Sequence, residues 1–250
     1  MIIDIDSEEF EVFSLYLQEG LDFLNLSLEK AVIAKLYKFY LKLAEANKYM
    51  NLTAITKLKE VVFKHFIDSL SIIRVMPELK FEKISIIDIG TGAGFPALPL
   101  ALAFPQCQIA AVDSLNKRIR FINEVKKELN LDNLNAYHGR AEEYAFKTEF
   151  REQFDLTVSR AVANLSTLSE YCLPFIHIDS TFIAYKSDKC GEELEKSRTA
   201  LSILGGAVEL TDSFILPYEK AGRSLIKIRK EKAVPKKYPR KSGTALKSPL

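Results

Sequence analysis

The chain has little cysteine, no long hydrophobic run and almost no excess of either charge. Its three cysteines, Cys107, Cys172 and Cys190, are an odd number with no CxxC pair. That excludes a disulfide framework and a cysteine-based metal site, and no group of His, Asp and Glu has metal-ligand spacing. The uncharged apolar run near the middle, Phe95 to Pro105, is 11 residues long and holds three prolines, whereas a bilayer span needs about 20 residues. Asp4, Asp6, Glu8 and Glu9 stand where a secretory leader would carry basic residues before an apolar stretch. No signal peptide is therefore predicted, and the cytoplasm is the expected compartment. No internal repeat or low-complexity segment is present. What remains is a globular composition: 250 residues, 48% hydrophobic, 27% charged, formal net charge +2. Such a chain fills a sizeable core, as one large domain or two small ones, and is neither disordered nor collagen-like.

The charge is uneven. From Lys227 to Leu250 there are nine basic residues and one acid, Glu231, so the rest of the chain is mildly acidic. The plain reading is a solvated tail. The sharper one is a polyanion contact, in which lysines and arginines displace counterions from phosphates. Pro235, Pro239, Gly243 and Pro249 argue against a regular helix there.

Apolar periodicity predicts three N-terminal helices. The first starts at Ser7, buries Phe10, Phe13 and Leu17, and ends at Gly20. The second starts near Ser27, with Leu28, Val32, Leu36, Phe39 and Leu43 on one face. Asn51 to Thr56 reads as an extended loop, and the third helix runs from Leu58 to Met76, stopped by Pro77. From Lys83 the pattern changes. Strands are predicted at 84–89, 108–112, 134–138, 155–159, 181–185, 207–211 and 224–229. Helices are predicted at 96–104, 117–129, 165–175 and 189–203. This alternation predicts an α/β fold with a mostly parallel sheet. The predicted division is a helical extension at 1–77, a core at 83–230 and a basic tail at 231–250.

Between the first strand and its helix lies Asp88-Ile89-Gly90-Thr91-Gly92-Ala93-Gly94-Phe95. Glycines there let the backbone turn tightly and approach a ligand with no Cβ in the way. A dinucleotide loop would need glycine where Phe95 stands, and a phosphate loop would end in Gly-Lys-Ser/Thr. An acid followed by G-x-G-x-G is instead the pattern with which S-adenosylmethionine (SAM) methyltransferases hold their cofactor. A nucleoside also asks for an acid at the end of the second strand, to accept from ribose hydroxyls. Asp113 is there, 19 residues past Gly94. The end of the third strand offers Gly139-Arg140-Ala141-Glu142, with Ala141 and Glu142 placed to line an adenine.

The whole pattern resembles one family, the small-subunit ribosomal RNA guanine-N7 methyltransferases, also called glucose-inhibited division protein B. The resemblance is carried by Asn51-Leu52-Thr53-Ala54-Ile55, Lys64-His65-Phe66-Ile67-Asp68-Ser69-Leu70 and Asp88 to Pro96. It continues through Asp113 to Arg118, Arg140-Ala141-Glu142, Ser159-Arg160-Ala161 and Pro239-Arg240-Lys241-Ser242-Gly243. Two departures are Ala97, where glycine is common, and Ser187 after Lys186, where glycine is expected. The resemblance implies a Rossmann-like methyltransferase fold with a seven-stranded sheet and helices on both faces. It implies methyl transfer from SAM to N7 of guanosine 527 of 16S rRNA, with 16S rRNA or the small subunit as partner. The short apolar runs predict no membrane partner, and nothing in the sequence demands a dimer, so a monomer is expected. It places Gly90, Phe95, Asp113, Ser114, Leu115, Ala141, Glu142 and Arg160 at the cofactor.

The chemistry agrees with this reading. Guanine N7 carries a free lone pair, so the task is alignment rather than proton removal, and no catalytic residue is assigned. Enzymes acting on exocyclic amines carry Asn/Asp-Pro-Pro-Tyr/Phe after the fourth strand, where this chain has Ser159-Arg160-Ala161-Val162. Enzymes acting on pyrimidine C5 use a cysteine nucleophile, and none of the three cysteines stands at a predicted strand end. Arg160 closes over the cofactor or contacts RNA, with an ordinary surface arginine as the plain alternative. His65 and Asp68 are three apart and pack the N-terminal helices near the site. Arg118, Lys186, Arg223, Arg240 and Lys241 are the candidates for RNA phosphate. His138 and His177 are read as structural, and the N-terminal aromatics as core. The rival readings are a SAM methyltransferase with another substrate, a nicotinamide dehydrogenase (disfavoured by Phe95) and a non-catalytic RNA-binding protein.

Overall fold

The computed structural model describes residues 7–160, 162–188, 190–220 and 222–250. Residues 1–6, Ala161, Lys189 and Ala221 lie outside the described residues, and with them the leader argument and the first residue of the predicted 189–203 helix.

Helix α1 (Glu8–Phe23) is capped by Ser7, whose Oγ accepts from the Phe10 amide at 3.3 Å. Its apolar stripe Phe10, Phe13, Leu17 and Leu21 is buried. Gly20 does not end the helix as expected. It lies inside it, where a Cβ would collide with Ile67. The glycine therefore marks a close helix–helix approach, not a stop. Gly20→Ala should cost about 1–3 kcal/mol by overpacking, although alanine gains about 1 kcal/mol in helix propensity. Urea unfolding checks this. A variant as stable as the wild type would mean that Ile67 moves aside freely.

Helix α2 (Lys30–Met50) begins three residues later than expected, with Glu29 as cap, and ends on Asn51 in the left-handed region. The third predicted helix is helical only to Arg74 and is not uniform. It runs as α3 (Leu58–Val61), a π-helical stretch Val62–Ile67, α4 (Asp68–Leu70) and a 3-10 turn Ser71–Arg74. A π-helical insertion widens the helix and often marks a functional position. Here it contains His65.

The strands are β1 (Ser85–Ile89), β2 (Gln108–Asp113), β3 (Leu134–His138), β4 (Phe154–Arg160), β5 (Ile176–Ser187), β6 (Gly206–Ile215) and β7 (Gly222–Lys230). They form one sheet in the order β3-β2-β1-β4-β5-β7-β6. The first five are parallel, and β7 runs antiparallel to both β5 and β6. The last strands extend beyond the predicted spans, because β6 and β7 pair from Gly206 opposite Lys230 to Ile215 opposite Gly222. The connecting helices are α5 (Ala97–Ala103), α6 (Asn116–Leu129), α7 (Ala141–Tyr144), α8 (Leu165–Cys172) and α9 (Gly191–Leu204).

Neighbouring side chains of a strand point to opposite faces, and the two cores follow that rule. Ile86, Ala111 and Val158 pack with α1, α2, the 58–74 helix, α5 and α6. Ile87, Ile89, Ala110 and Val112 pack with α8 and α9. This is a Rossmann-like methyltransferase fold with helices on both faces. The strand order reverses between β1 and β4, and open α/β sheets bind ligands at that point, beyond the strand C-termini.

The tail is not a solvated extension. Val234, Tyr238 and Ala245 are buried. One helical turn, α10 (Thr244–Lys247), forms between Gly243 and Pro249, which corrects the expectation of no regular helix there. Five residues lie between the breakers, enough for this one turn. Among the described residues no helix is long and apolar enough to cross a membrane.

Candidate functional site

A crevice of about 850 Å3 opens at the C-terminal ends of β1 to β5. Its floor is the Gly90–Gly94 loop. Gly90, Gly92 and Gly94 have φ of +77°, +62° and +92°, where L side chains are strained. They differ in what a side chain would meet. At Gly90 it would strike Val162 and at Gly94 Leu98, whereas at Gly92 nothing lies within 4 Å. Two glycines are thus required by the protein, and Gly92 leaves bare backbone facing the crevice.

Asp88 lies under this loop, completely buried, with Oδ2 accepting from the Ala97 amide at 3.2 Å. Burial pushes its carboxyl up to about 7, against the opposing pull of Thr91 and that amide. Asp88 thus pins the start of α5 from behind the loop.

Asp113 ends β2. Its Oδ2 accepts from the Gly92 amide and its Oδ1 from the Leu115 amide, both at 2.9 Å. Arg118 donates to it at 3.1 Å. A carboxylate offers about four lone-pair directions, and the two amides use two of them. Beyond β3, Glu142 on α7 is buried and lines the crevice beside Ala141. The Tyr171 hydroxyl bonds to Glu142 and is pushed up to about 12, chiefly by burial.

The other end of the crevice is walled by the N-terminal extension. Asn47 exchanges two 2.9 Å bonds with the Thr53 backbone, which fixes the Asn51–Thr56 loop. The Thr53 hydroxyl meets His65 Nε2 at 2.8 Å. On the other side of the ring, an Arg160 guanidinium nitrogen approaches His65 Nδ1 at 3.3 Å. Arginine has no acceptor, so Nδ1 carries the lone pair and Nε2 the proton. Arg160 also donates to the Lys64 carbonyl at 2.9 Å and to Asp68 Oδ2 at 2.7 Å. The Arg223 Nε lies 3.3 Å from Asp68 Oδ1. His65 and Asp68 therefore meet through Arg160. Phe95 stacks on His65 at 4.6 Å and on Phe39 at 4.9 Å, with the Arg160 guanidinium 5.4 Å from its ring centre. Its ring is part of the wall and does not fill the crevice.

Burial, and then the charge of Arg160, push His65 down to about 3. An unfolded histidine takes a proton near 6.5, so the native state loses stability as pH falls from 6.5 toward 3. His65→Gln removes that component. The wild type should lose about 2 kcal/mol relative to the variant between pH 7 and pH 5, at up to about 1.4 kcal/mol per pH unit. Urea unfolding at the two pH values measures it. A constant difference would mean that His65 titrates equally in both states.

Of the residues singled out in the sequence, Gly90, Phe95, Asp113, Ser114, Ala141, Glu142 and Arg160 converge on this crevice. Arg118, Lys186 and Arg223 stand on its rim, and Lys186 donates to the Ala163 carbonyl and to Glu193, each at 2.6 Å. Leu115 is exposed beyond β2, outside the crevice lining. Arg240 turns away to pair with Glu170, and Lys241 is exposed. Motif reading passed over Tyr171, Tyr185 and Leu246, which also line the crevice. Each arrives by topology from a segment with no local signature.

The crevice suits a nucleoside: bare backbone at Gly92, a carboxylate at Asp113, and a cleft closed by Tyr171 and Leu246. Comparison with known proteins agrees. A family model described as "GidB: rRNA small subunit methyltransferase G" matches residues 32–220. The ribosomal RNA small subunit methyltransferase G of Lachnoclostridium phytofermentans is 49% identical over 232 residues, covering 93% of this chain and 95% of its own. That of Acetivibrio thermocellus is 43% identical over 246 residues, covering 98% and 100%. Among solved structures, a putative sarcosine dimethylglycine methyltransferase from Galdieria sulphuraria superposes with a TM-score of 0.54 at 13% identity, over 71% of this chain and 89% of its own. That likeness speaks for the fold.

Proposed function

The chain belongs to the rRNA small subunit methyltransferase G family, a family of SAM-dependent methyltransferases, and we propose that it methylates N7 of a guanine in 16S rRNA, guanosine 527. When bound, SAM supplies an electrophilic methyl group on a sulfonium. The Gly90–Gly94 loop lets the backbone approach the cofactor. Asp113 accepts from the ribose hydroxyls at the two directions that Arg118 now covers. Residues 1–77 contribute His65 and Asp68, which hold Arg160 and the Phe95 ring as the wall facing the acceptor base.

One observation favours a ring nitrogen: among the described residues, the groups best placed to act as a base are already committed. His65 Nδ1 already accepts from Arg160, and Nε2 already donates to Thr53. Asp68 is shared by two arginines, and Asp88 is sealed beneath the loop. Guanine N7 needs no deprotonation before attack, so alignment by a rigid wall is sufficient. The basic rim of Arg118, Lys186 and Arg223, with the exposed Lys241 outside it, would supply phosphate contacts, which positions the RNA without reading its sequence.

The test pairs labelled SAM with bare 16S rRNA, with small subunits and with small-molecule acceptors, and maps the product by reductive strand scission at N7-methylguanine. Label at N7 of guanosine 527, absent from rRNA of cells lacking the protein, is the expected result. Label on another atom, another nucleotide or a small molecule overturns the assignment.

A further inference from the structure

We propose that the C-terminal segment 238–247 is a strap that forms the outer wall of the adenosine end of the crevice, and so positions the cofactor. The inference rests on the SAM assignment above. The segment was read from sequence as an RNA contact, but the structure commits its most distinctive residue elsewhere. Glu170 on α8 is completely buried. Its Oε1 accepts from the Arg240 amide at 2.6 Å and from Nε at 3.0 Å, and its Oε2 accepts from a terminal guanidinium nitrogen at 2.6 Å. A buried carboxylate without its partner is heavily penalised. Arg240 is thus held by the protein while the strap is docked.

The docking continues on both sides. Arg151 donates to the carbonyls of Val234 and Tyr238, each at 3.1 Å, and the Thr167 hydroxyl to the Ala245 carbonyl at 2.9 Å. Between these anchors the Gly243 amide, at φ +80°, donates to Glu142 Oε1 at 3.0 Å. Glu142 is the crevice-lining acid at the end of β3, and Tyr171 bonds to the same carboxylate. One buried carboxylate therefore joins the strap to the β3 end of the pocket. Just beyond it, Leu246 lines the crevice with 55% of its surface exposed. A large apolar side chain left open on a cleft wall is what a planar heterocycle would cover.

Glu142 thus serves two purposes: it lines the adenine position and it fastens the wall opposite. If so, damage to the strap weakens cofactor binding before it touches RNA binding. The experiment measures SAM and S-adenosylhomocysteine affinity of the full chain by calorimetry for the wild type, Leu246→Ser, Arg240→Ala and Arg240→Lys. It also follows hydrogen exchange of residues 238–247 with and without S-adenosylhomocysteine. Expected are Kd values raised about tenfold for Leu246→Ser and more for Arg240→Ala, with partial recovery in Arg240→Lys. Exchange in the strap should slow when S-adenosylhomocysteine binds, and the KM for SAM should rise while that for RNA stays. Leu246 is exposed, so its variant carries the test even if Arg240→Ala does not fold. Wild-type affinity in Leu246→Ser, together with unchanged exchange in the strap, overturns the strap alone. Failure of the wild type to bind either ligand overturns the cofactor assignment and the strap together.

Discussion

Gly92→Ala is expected to remove SAM binding while leaving the protein folded. The loop holds Gly92 at φ +62° with nothing within 4 Å of the position a Cβ would take. The fold therefore loses only the cost of a left-handed alanine, about 1–2 kcal/mol, or a fall in Tm of roughly 2–8 °C. The crevice loses the bare backbone over which the proposed cofactor site runs. A methyl group there meets the ligand or displaces it, and an affinity loss of at least about 100-fold is expected, equivalent to about 2.7 kcal/mol. Gly94→Ala is the contrast. Its Cβ would enter the Leu98 side chain at φ +92°, so that variant should lose stability first and binding as a consequence. Calorimetric titration with SAM, beside thermal unfolding by circular dichroism, separates the two. If Gly92→Ala binds SAM within threefold of the wild type, the cofactor does not cross this loop.

The parts of the site that lie close together in sequence were legible from it. Asp88, the glycine loop and Asp113 sit at consecutive strand ends, so pattern and spacing alone place them together. The span of the first strand was equally local, but its nearly unbroken apolar run did not show that Ile86 and Ile87 face opposite cores. The parts that were not legible depend on contacts across the chain. Gly20 read as a helix stop because nothing in its own helix announces Ile67, 47 residues away. Arg240 read as a phosphate ligand because its partner, Glu170, stands 70 positions earlier. The run from Leu58 to Met76 read as one regular helix because its apolar spacing does not distinguish a π-helical stretch. Arg160 was singled out, but its clamp was not, since it is assembled from β4 and two N-terminal segments.

That clamp carries the second large effect. Asp68→Ala is expected to cost about 3–5 kcal/mol, because removing one partner of a buried ion pair strands the other. Asp68 and Arg160 have side-chain exposures of 9% and 13%, at 2.7 Å separation. Without the carboxylate, Arg160 keeps the Lys64 carbonyl and the His65 ring nitrogen, neither of which carries a negative charge. Arg223 loses the same partner. Replacing both ends tests the origin of the loss. Asp68→Leu with Arg160→Met removes both charges and keeps most of the volume, and such pairs often restore stability. The double variant should therefore be more stable than Asp68→Leu alone, with a coupling energy of about 1–3 kcal/mol in the cycle completed by the single variants Asp68→Leu and Arg160→Met. Methyl transfer should not return with stability, because the Phe95 and His65 wall would have lost the guanidinium that holds it. Urea unfolding at pH 7 gives the first quantity and single-turnover transfer the second. Recovery of both would reduce Arg160 to a packing role. Recovery of stability alone would show that this buried charge is kept for the reaction and not for the fold.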